Sequence, residues 1–478
     1  MTYAFSFDAA FCSGCKACQA ACKDKNNLPT GVLWRRVYEV SGGNWQQNGD
    51  AWQNTVFAYN LSISCNHCAY PKCAGVCPVD AYVLRQDGIV FLDTTKCVGC
   101  GYCAWACPYG APQYNADVGH MTKCDFCFDQ LERGLPPVCV AACPMRVLDY
   151  GEAWTEPVLP GNEMRLWETP PEAHPYPLPG YSHSQPRLVI KPHAAMNTAE
   201  EKSVANIEEI QPRVPSAWEE VPLILFTLLA QLAVGGFWAM LWIFPRMWMP
   251  AGQGITLLEV LPLLGIGLCL GVSVLASFAH LGTKRNAWRV FSHLRKSWLS
   301  REILFTILFG MGWLVTILER TIWQRGSIEW IALTATLGFG LIYSMAQVYR
   351  LTAAPGWNSW RTNAGFMVSA LLLGQLLMTT LLSYELSVTG IQFPSAAWVK
   401  IGGSVIILLL SQLAIVYRRS PQPLFQYIRI GLILGGIVLS ILSLVFFKYA
   451  AAWISPLIFL LAVIEEGVGR WVFYRSRL

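Results

Sequence analysis

Sixteen cysteines lie before residue 144 and fall into four quartets: Cys12, Cys15, Cys18 and Cys22; Cys65, Cys68, Cys73 and Cys77; Cys97, Cys100, Cys103 and Cys107; and Cys124, Cys127, Cys139 and Cys143. Thiolates crowded at such spacings are soft metal ligands. Two chemistries use them: structural zinc held by four cysteines, and iron–sulfur cubanes. The last cysteine of the second, third and fourth quartets is followed by proline (Pro78, Pro108 and Pro144), and that of the first by Lys23. The run C-x2-C-x2-C-x3-C-P wraps three corners of a cubane in one loop and sends the fourth thiolate to a neighbouring cluster. Four quartets, three with the trailing proline, favour cubanes over zinc. Sixteen ligands then supply four [4Fe–4S] clusters. A row of clusters suits conduction of single electrons, whereas a redox sensor needs one cluster.

The second and third quartets are separated by Val79–Lys96, which contains the strand-like "YVLRQDGIVFL". That is the layout of a compact two-cluster ferredoxin. The first and fourth quartets flank it and pair by elimination. The expected ligand sets are Cys12, Cys15, Cys18 with Cys143; Cys124, Cys127, Cys139 with Cys22; Cys65, Cys68, Cys73 with Cys107; and Cys97, Cys100, Cys103 with Cys77. His67, inside the second quartet, is expected to be a surface or packing histidine rather than a ligand. Lys16, Lys23, Lys72, Lys96 and Lys123 dot the cluster loops; they either raise cluster potentials by their charge or are solvated surface lysines.

This half resembles the four-cluster ferredoxin-type subunit of molybdopterin oxidoreductases, the group that includes dimethyl sulfoxide, polysulfide and nitrate reductases and formate dehydrogenases. The likeness spans residues 3–193 and includes "QPRLVIKP" at 185–192. It implies that the Cys12/Cys15/Cys18/Cys143 cluster faces a molybdenum subunit and the Cys97/Cys100/Cys103/Cys77 cluster faces the membrane. Some relatives replace the middle ligand of the third motif with Trp and hold a three-iron cluster; Cys100 implies a full cubane here.

The elements that must position these groups divide the chain in two. Composition is skewed, with 54% hydrophobic and 14% charged residues, and the skew is uneven. Residues 1–193 are expected to form a double bacterial-ferredoxin-like α+β domain with four clusters. Within it, 152–193 is too rich in proline for a helix or a central strand and reads as an extended arm. Residues 194–215 read as a tether with one short helix. Residues 216–478 read as an all-α bundle of eight transmembrane helices, at 218–244, 255–280, 301–319, 329–350, 362–386, 397–417, 425–447 and 450–470, each about long enough for a ~30 Å hydrocarbon core. Aromatic residues such as Trp218, Trp242, Trp248, Trp298, Trp330, Trp398, Trp453 and Trp471 crowd the ends as interfacial anchors.

The start, "MTYAFSFDAAFC", lacks a basic patch followed by an apolar stretch and lacks a twin-arginine pair. Even crossings put both termini on one side. That side's flanks carry Lys284, Arg285, Arg289, Arg295, Lys296, Arg301, Arg350, Arg361, Arg418, Arg419, Arg470, Arg475 and Arg477; the other carries Arg246, Arg320, Arg325 and Lys448. By the positive-inside rule the cluster domain is expected on the cytoplasmic side of a bacterial inner membrane.

Polar groups near the membrane are expensive and therefore informative. His280 ends the second span and Glu302 begins the third, both on the cluster side. A quinol gives up two protons with its two electrons, and a His–carboxylate pair can accept them. Arg285 and Arg289 are candidates to steady a quinone carbonyl, or they anchor the loop. The alternative for His280 and Glu302 is helix-end decoration. Glu466 and Arg470, at i and i+4, read as a structural ion pair, and Cys269 as packing. The half resembles the membrane anchor of dimethyl sulfoxide reductase through "EEVPLILFTLLAQLAVGGFWAM" (219–240), "HLG" (280–282), "SREI" (300–303) and "EEGVGRWVFY" (465–474). The resemblance implies that His280 and Glu302 belong to a quinol site; the familiar form has two separate chains where this one is joined.

The expected function is electron transfer and membrane anchoring within a molybdopterin oxidoreductase complex, between menaquinone or ubiquinone and a separate catalytic subunit. The chain itself would carry only the quinone half-reaction. A cytoplasmic cluster domain leans toward sulfite dehydrogenation, with dimethyl sulfoxide or related S- or N-oxide reduction as the rival. The alternative from another class is a cluster-driven ion-translocating membrane module, which needs a chain of buried carboxylates or lysines. Partners are the catalytic subunit, the quinone and the lipid bilayer, with no nucleic acid.

Overall fold

The computed structural model describes residues 2–152, 163–170, 174, 178–179, 184–196, 206–208, 220–243, 257–323, 327–389, 394–417, 423–445 and 447–475. The chain forms two compact units: residues 1–214 with Gly282–Ser297, and Pro215–Leu281 with Trp298–Leu478.

In the first unit, β1 (Tyr3–Asp8) is followed by α1 (Ala17–Lys25), β2 (Arg36–Gly42), β3 (Trp45–Asn48), β4 (Ala51–Asn54) and β5 (Phe57–Ile63). Then come α2 (Lys72–Val76), β6 (Tyr82–Leu84), β7 (Val90–Leu92), α3 (Tyr102–Ala106), β8 (Gln113–Asn115) and β9 (His120–Thr122). The unit continues with α4 (Phe128–Leu131), α5 (Val138–Ala141), β10 (Leu148–Glu152), β11 (Met164–Arg165), β12 (Leu188–Lys191) and β13 (Asn206–Glu208). One sheet has the order β10-β1-β12-β11 and a second β13-β2-β5; β3–β4, β6–β7 and β8–β9 are hairpins. The "YVLRQDGIVFL" segment is the β6–β7 hairpin, with Tyr82 opposite Leu92.

Within the proline-rich arm, "RLVIK" is free of proline, and β12 runs parallel to β1 with Phe5 opposite Leu188. It is an interior strand of the sheet rather than a surface strap, because Leu188 and Ile190 carry enough apolar surface to enter the core beside Phe5 and Phe7. In the expected tether, the described residues give β13, paired antiparallel with β2, and no helix; positions 197–205 and 209–215 lie outside the described residues, as do Trp218, Arg246, Trp248, Arg325, Arg418, Arg419 and Arg477.

The second unit is helical: α6 (Val221–Ile243), α7 (Leu257–His280), α8 (Trp298–Thr321), α9 (Ile328–Tyr349), α10 (Trp360–Thr389), α11 (Ser395–Val416), α12 (Pro423–Val445) and α13 (Phe447–Arg475). Among the described residues, seven of these, α6 to α12, contain stretches long and apolar enough to cross a membrane. Helix α6 packs on α10 where Gly235 faces Gly374: a Cβ on Gly235 would run into the Ala370 carbonyl, and one on Gly374 into the Gly235 backbone. In an apolar solvent such close approach is what holds helices together. Serine and threonine hydroxyls mostly bond their own helix one turn back, as Thr306 does to the Glu302 carbonyl and Thr316 to that of Gly312.

Candidate functional site

Each C-x-x-C loop turns through a left-handed residue at the same position, just before its second cysteine. Gly14, His67, Gly99 and Phe126 have φ of 67°, 41°, 71° and 64°. The turn swings backbone N–H groups onto sulfur: Gly99 donates to Cys97 Sγ and Phe126 to Cys124 Sγ, each at 3.4 Å, and Gly14 donates to Cys12. The third cysteine of each quartet then sits in a short helix: Cys18 in α1, Cys73 in α2, Cys103 in α3 and Cys139 in α5. Proline disfavours helical backbone at the residue before it, so Cys77 and Cys107 end their helices in extended conformations. A second turn follows each C-P pair, with Asp80, Gly110 and Arg146 at φ of 49°, 57° and 55°. It returns the N–H of Ala81 to Cys77 Sγ at 3.4 Å and that of Ala111 to Cys107. Lys23 explains the departure of the first quartet: with no proline after Cys22, α1 runs on to Lys25.

All seventeen cysteines are unbridged, and tertiary packing gathers the sixteen into four groups. Cys12, Cys15, Cys18 and Cys143 line one cavity, and Cys65, Cys68, Cys73 and Cys107 line another. Cys22 has Cys139 and Cys127 as electrostatic neighbours, and Cys124 has Cys22 and Cys127. Cys97, Cys100 and Cys103 neighbour Cys77. Burial pushes up the thiols of Cys22 and Cys100, to about 12, and of Cys127, to about 11. Such sulfurs become ligands when a bound cation takes up the charge. Among the described residues no three His, Cys, Asp or Glu side chains converge as a single metal ion requires. A tetrahedral zinc site needs four sulfurs each about 2.3 Å from one ion; the donor set here fits a larger iron–sulfur group.

Of the loop lysines, Lys123 is buried, 4% exposed, whereas Lys16, Lys23, Lys72 and Lys96 are half-buried. His67 packs, as expected: its ring meets Phe126 edge-on at 5.2 Å, and its Nδ1 accepts from Val90 N–H. Burial, with Lys123, Arg187 and Arg35 acting in the same direction, holds it well below the ordinary histidine range and therefore neutral.

Segment Gly282–Ser297, largely a 3-10 helix over Lys284–His293, lies in sequence between α7 and α8 yet packs with the cysteine unit. Thr283 N–H donates to Val98 O, and Asn286 Nδ2 to Thr95 O and Cys97 O at 2.9 and 3.0 Å. His293 Nδ1 bonds Cys77 O at 2.7 Å, and Ser297 Oγ donates to Val76 O. Two ligands of one group, Cys77 and Cys97, are thereby held through their carbonyls. Arg285 is exposed on this segment; Arg289 is half-buried and lies 4.7 Å from the Trp288 ring.

His280 and Glu302 belong to the helical unit. His280 is half-buried at the end of α7; Glu302 is buried in the second turn of α8, and its Oε1 has no hydrogen-bond partner among the described residues. Tyr349 and Tyr474, whose hydroxyls bond at 2.6 Å, are both electrostatic neighbours of Glu302. The expected Glu466–Arg470 pair, whose members are electrostatic neighbours, sits within a wider arrangement. Arg429 pairs with Glu465 at 2.7 Å, Gln412 donates to Glu466 at 2.8 Å, and Arg470 donates to Gln231 at 3.0 Å. The partners come from α6, α11 and α12, so spacing on α13 alone could not reveal them. Cys269 is half-buried in α7.

A ferredoxin-type cysteine unit covalently joined to apolar helices defines an iron–sulfur electron-transfer subunit with its own membrane anchor. Residues 56–153 match the family model of the 4Fe-4S dicluster domain, and residues 214–475 that of the DMSO reductase anchor subunit. The cysteine unit is 48% identical over 192 residues to the B subunit of the anaerobic dimethyl sulfoxide reductase of Escherichia coli, covering 40% of this chain and 89% of that one. It is 46% identical over 210 residues to YnfG, a probable anaerobic dimethyl sulfoxide reductase subunit of the same organism, covering 44% and 98%. A formate dehydrogenase iron–sulfur subunit of Wolinella succinogenes is 37% identical over 171 residues, 31% of this chain and 80% of that one. The chain belongs to the DMSO reductase anchor subunit family and carries that system's iron–sulfur subunit on the same polypeptide.

Proposed function

We propose that the chain conducts electrons between a quinone at the His280–Glu302 end of its helical unit and a separate molybdopterin catalytic subunit bound to the cysteine unit. The observation that carries this reading is the segment Gly282–Ser297. It is continuous with His280 on one side and with α8 on the other, and it grips Cys77 and Cys97 of a single ligand group. When bound, [4Fe–4S] groups supply one-electron exchange and a quinone supplies two-electron, two-proton exchange.

The chain's own residues set the conditions. The four groups, Cys12/Cys15/Cys18/Cys143, Cys124/Cys127/Cys139/Cys22, Cys65/Cys68/Cys73/Cys107 and Cys97/Cys100/Cys103/Cys77, each hold one [4Fe–4S] group and shield it from water. Glu302 Oε1, buried and unpartnered, holds or releases one proton, and the His280 ring the other; Arg285 and Arg289 steady the quinone oxygen. Menaquinone and ubiquinone both meet this chemistry. In this reading all eight helices cross the membrane, and the basic flanks favour the cytoplasmic side of a bacterial inner membrane for the cysteine unit. The names of the relatives favour a dimethyl sulfoxide reductase-like catalytic partner; a sulfite dehydrogenase-like one would use the same conductor in reverse.

The test is quinol-driven reduction of the clusters in membranes holding the whole complex, followed by absorbance. His280→Ala and Glu302→Gln are each expected to slow it at least tenfold with iron content unchanged. Wild-type rates in both variants would remove the pair from the reading, and zinc in place of iron would remove the clusters.

A further inference from the structure

The cysteine unit buries three cations, Arg35, Arg36 and Lys123, at 2%, 2% and 4% exposure. Among the described residues, none has a carboxylate as a hydrogen-bond partner. Arg35 Nη1 donates to Ser62 Oγ at 3.2 Å and Nη2 to Ser64 Oγ at 2.9 Å, with Cζ 4.5 Å from the centre of the Phe5 ring. Lys123 Nζ donates to the carbonyls of Val90 and Cys124. Arg36 Nη2 donates to Tyr109 O. A buried charge compensated only by neutral groups is strongly unfavourable, so the counter-charge must lie elsewhere.

The sulfurs supply it, and they do so in pairs of groups. Arg35 has Cys18 of one group and Cys22, Cys124 and Cys139 of the next as its electrostatic neighbours. It touches both sides: Ser62, which takes its hydrogen bond, also bonds Cys18 Sγ at 3.4 Å, and its own backbone N–H donates to Cys22. Lys123 stands between Cys124 of that second group and Cys65 and Cys73 of the third. Arg36 faces the third group through Cys107.

We propose that Arg35 and Lys123 are shared positioning charges of the electron path, each raising the reduction potentials of the two ligand groups it separates. This deepens the function proposed above and rests on it. Each transfer moves one electron from one group to the next with no bond made or broken, so the receiving group gains one negative charge. A fixed cation at the junction favours that gain on either side. The Cys124/Cys127/Cys139/Cys22 group, flanked by both cations, is served twice.

The test is potentiometric EPR titration of the assembled complex in membranes. Arg35→Met and Lys123→Met are each expected to lower two of the four midpoints, with one midpoint common to both, by at least tenfold in the one-electron equilibrium, about 59 mV. Arg35→Lys, which keeps the charge and loses the forked contacts, is expected to hold its midpoints near the wild-type values. Should Arg35→Met lose iron, Arg35→Gln is read in its place. Unmoved midpoints, a uniform shift of all four, two variants with no midpoint in common, or iron loss from both neutral Arg35 variants with Lys123→Met unmoved would each overturn the inference. Wild-type protein without iron and sulfide would overturn the underlying function instead.

Discussion

Gly99 shows what a single residue must do at a ligand loop. Its φ of 71° suits glycine, and a Cβ there would meet the Gly119 carbonyl and the Gly282 backbone. Left-handed backbone costs a non-glycine residue roughly 1–2 kcal/mol, and the steric conflict adds to that. Gly99→Val is therefore expected to destabilise the cysteine unit by about 2 kcal/mol or more and to reduce the iron bound. Chemical denaturation and iron analysis of the purified complex check it, and wild-type values for both would show that the loop tolerates a side chain. The same position in two other loops is held by His67 and Phe126, which accept the strain because their rings pack on each other in the core. Spacing made the four cysteine quartets legible; the strained positions, glycine apart, carried no signal, because packing that compensates strain comes from residues distant in the chain.

At the scale of elements, the contrast between α1 and the one-turn helices within the other quartets is governed by one residue. Lys23 lets α1 continue, so that Lys23 Nζ reaches Pro29 O at 2.7 Å and Lys25 pairs with Asp129 at 2.7 Å. Lys23→Pro would impose the extended backbone seen at Cys77 and Cys107 on Cys22. The expected cost is about 3 kcal/mol, with loss of iron from the group that Cys22 completes; a denaturation midpoint and iron content like wild type would contradict it. The long apolar helices were legible, with ends displaced by one to five residues at most termini, since a long apolar run has few alternatives to a helix in lipid. What α13 does with Glu465, Glu466 and Arg470 was not, because Gln231, Gln412 and Arg429 reach them from three other helices.

For the whole molecule, the informative feature is a segment that belongs by sequence to the helical half and by packing to the cysteine unit. Gly282–Ser297 contributes Asn286 and His293 to the carbonyls of Cys97 and Cys77. Paired replacement, Asn286→Ala with His293→Ala, is expected to lower quinol-driven cluster reduction several-fold while the iron content and the dissociation behaviour of the catalytic partner stay as in wild type. Stopped-flow reduction checks it; an unchanged rate would show that the segment is only a strap.

By itself the sequence determined the sixteen cysteines, their division into four runs and the long apolar stretches. These are properties of local spacing and composition, and neither depends on what lies across the fold. The tertiary structure alone decided that β12 enters the sheet, that Arg35 and Lys123 stand buried between ligand groups, and that Glu302 keeps an unpartnered oxygen. It decided these because burial and partnership are relations among residues tens to hundreds of positions apart, which only packing brings together.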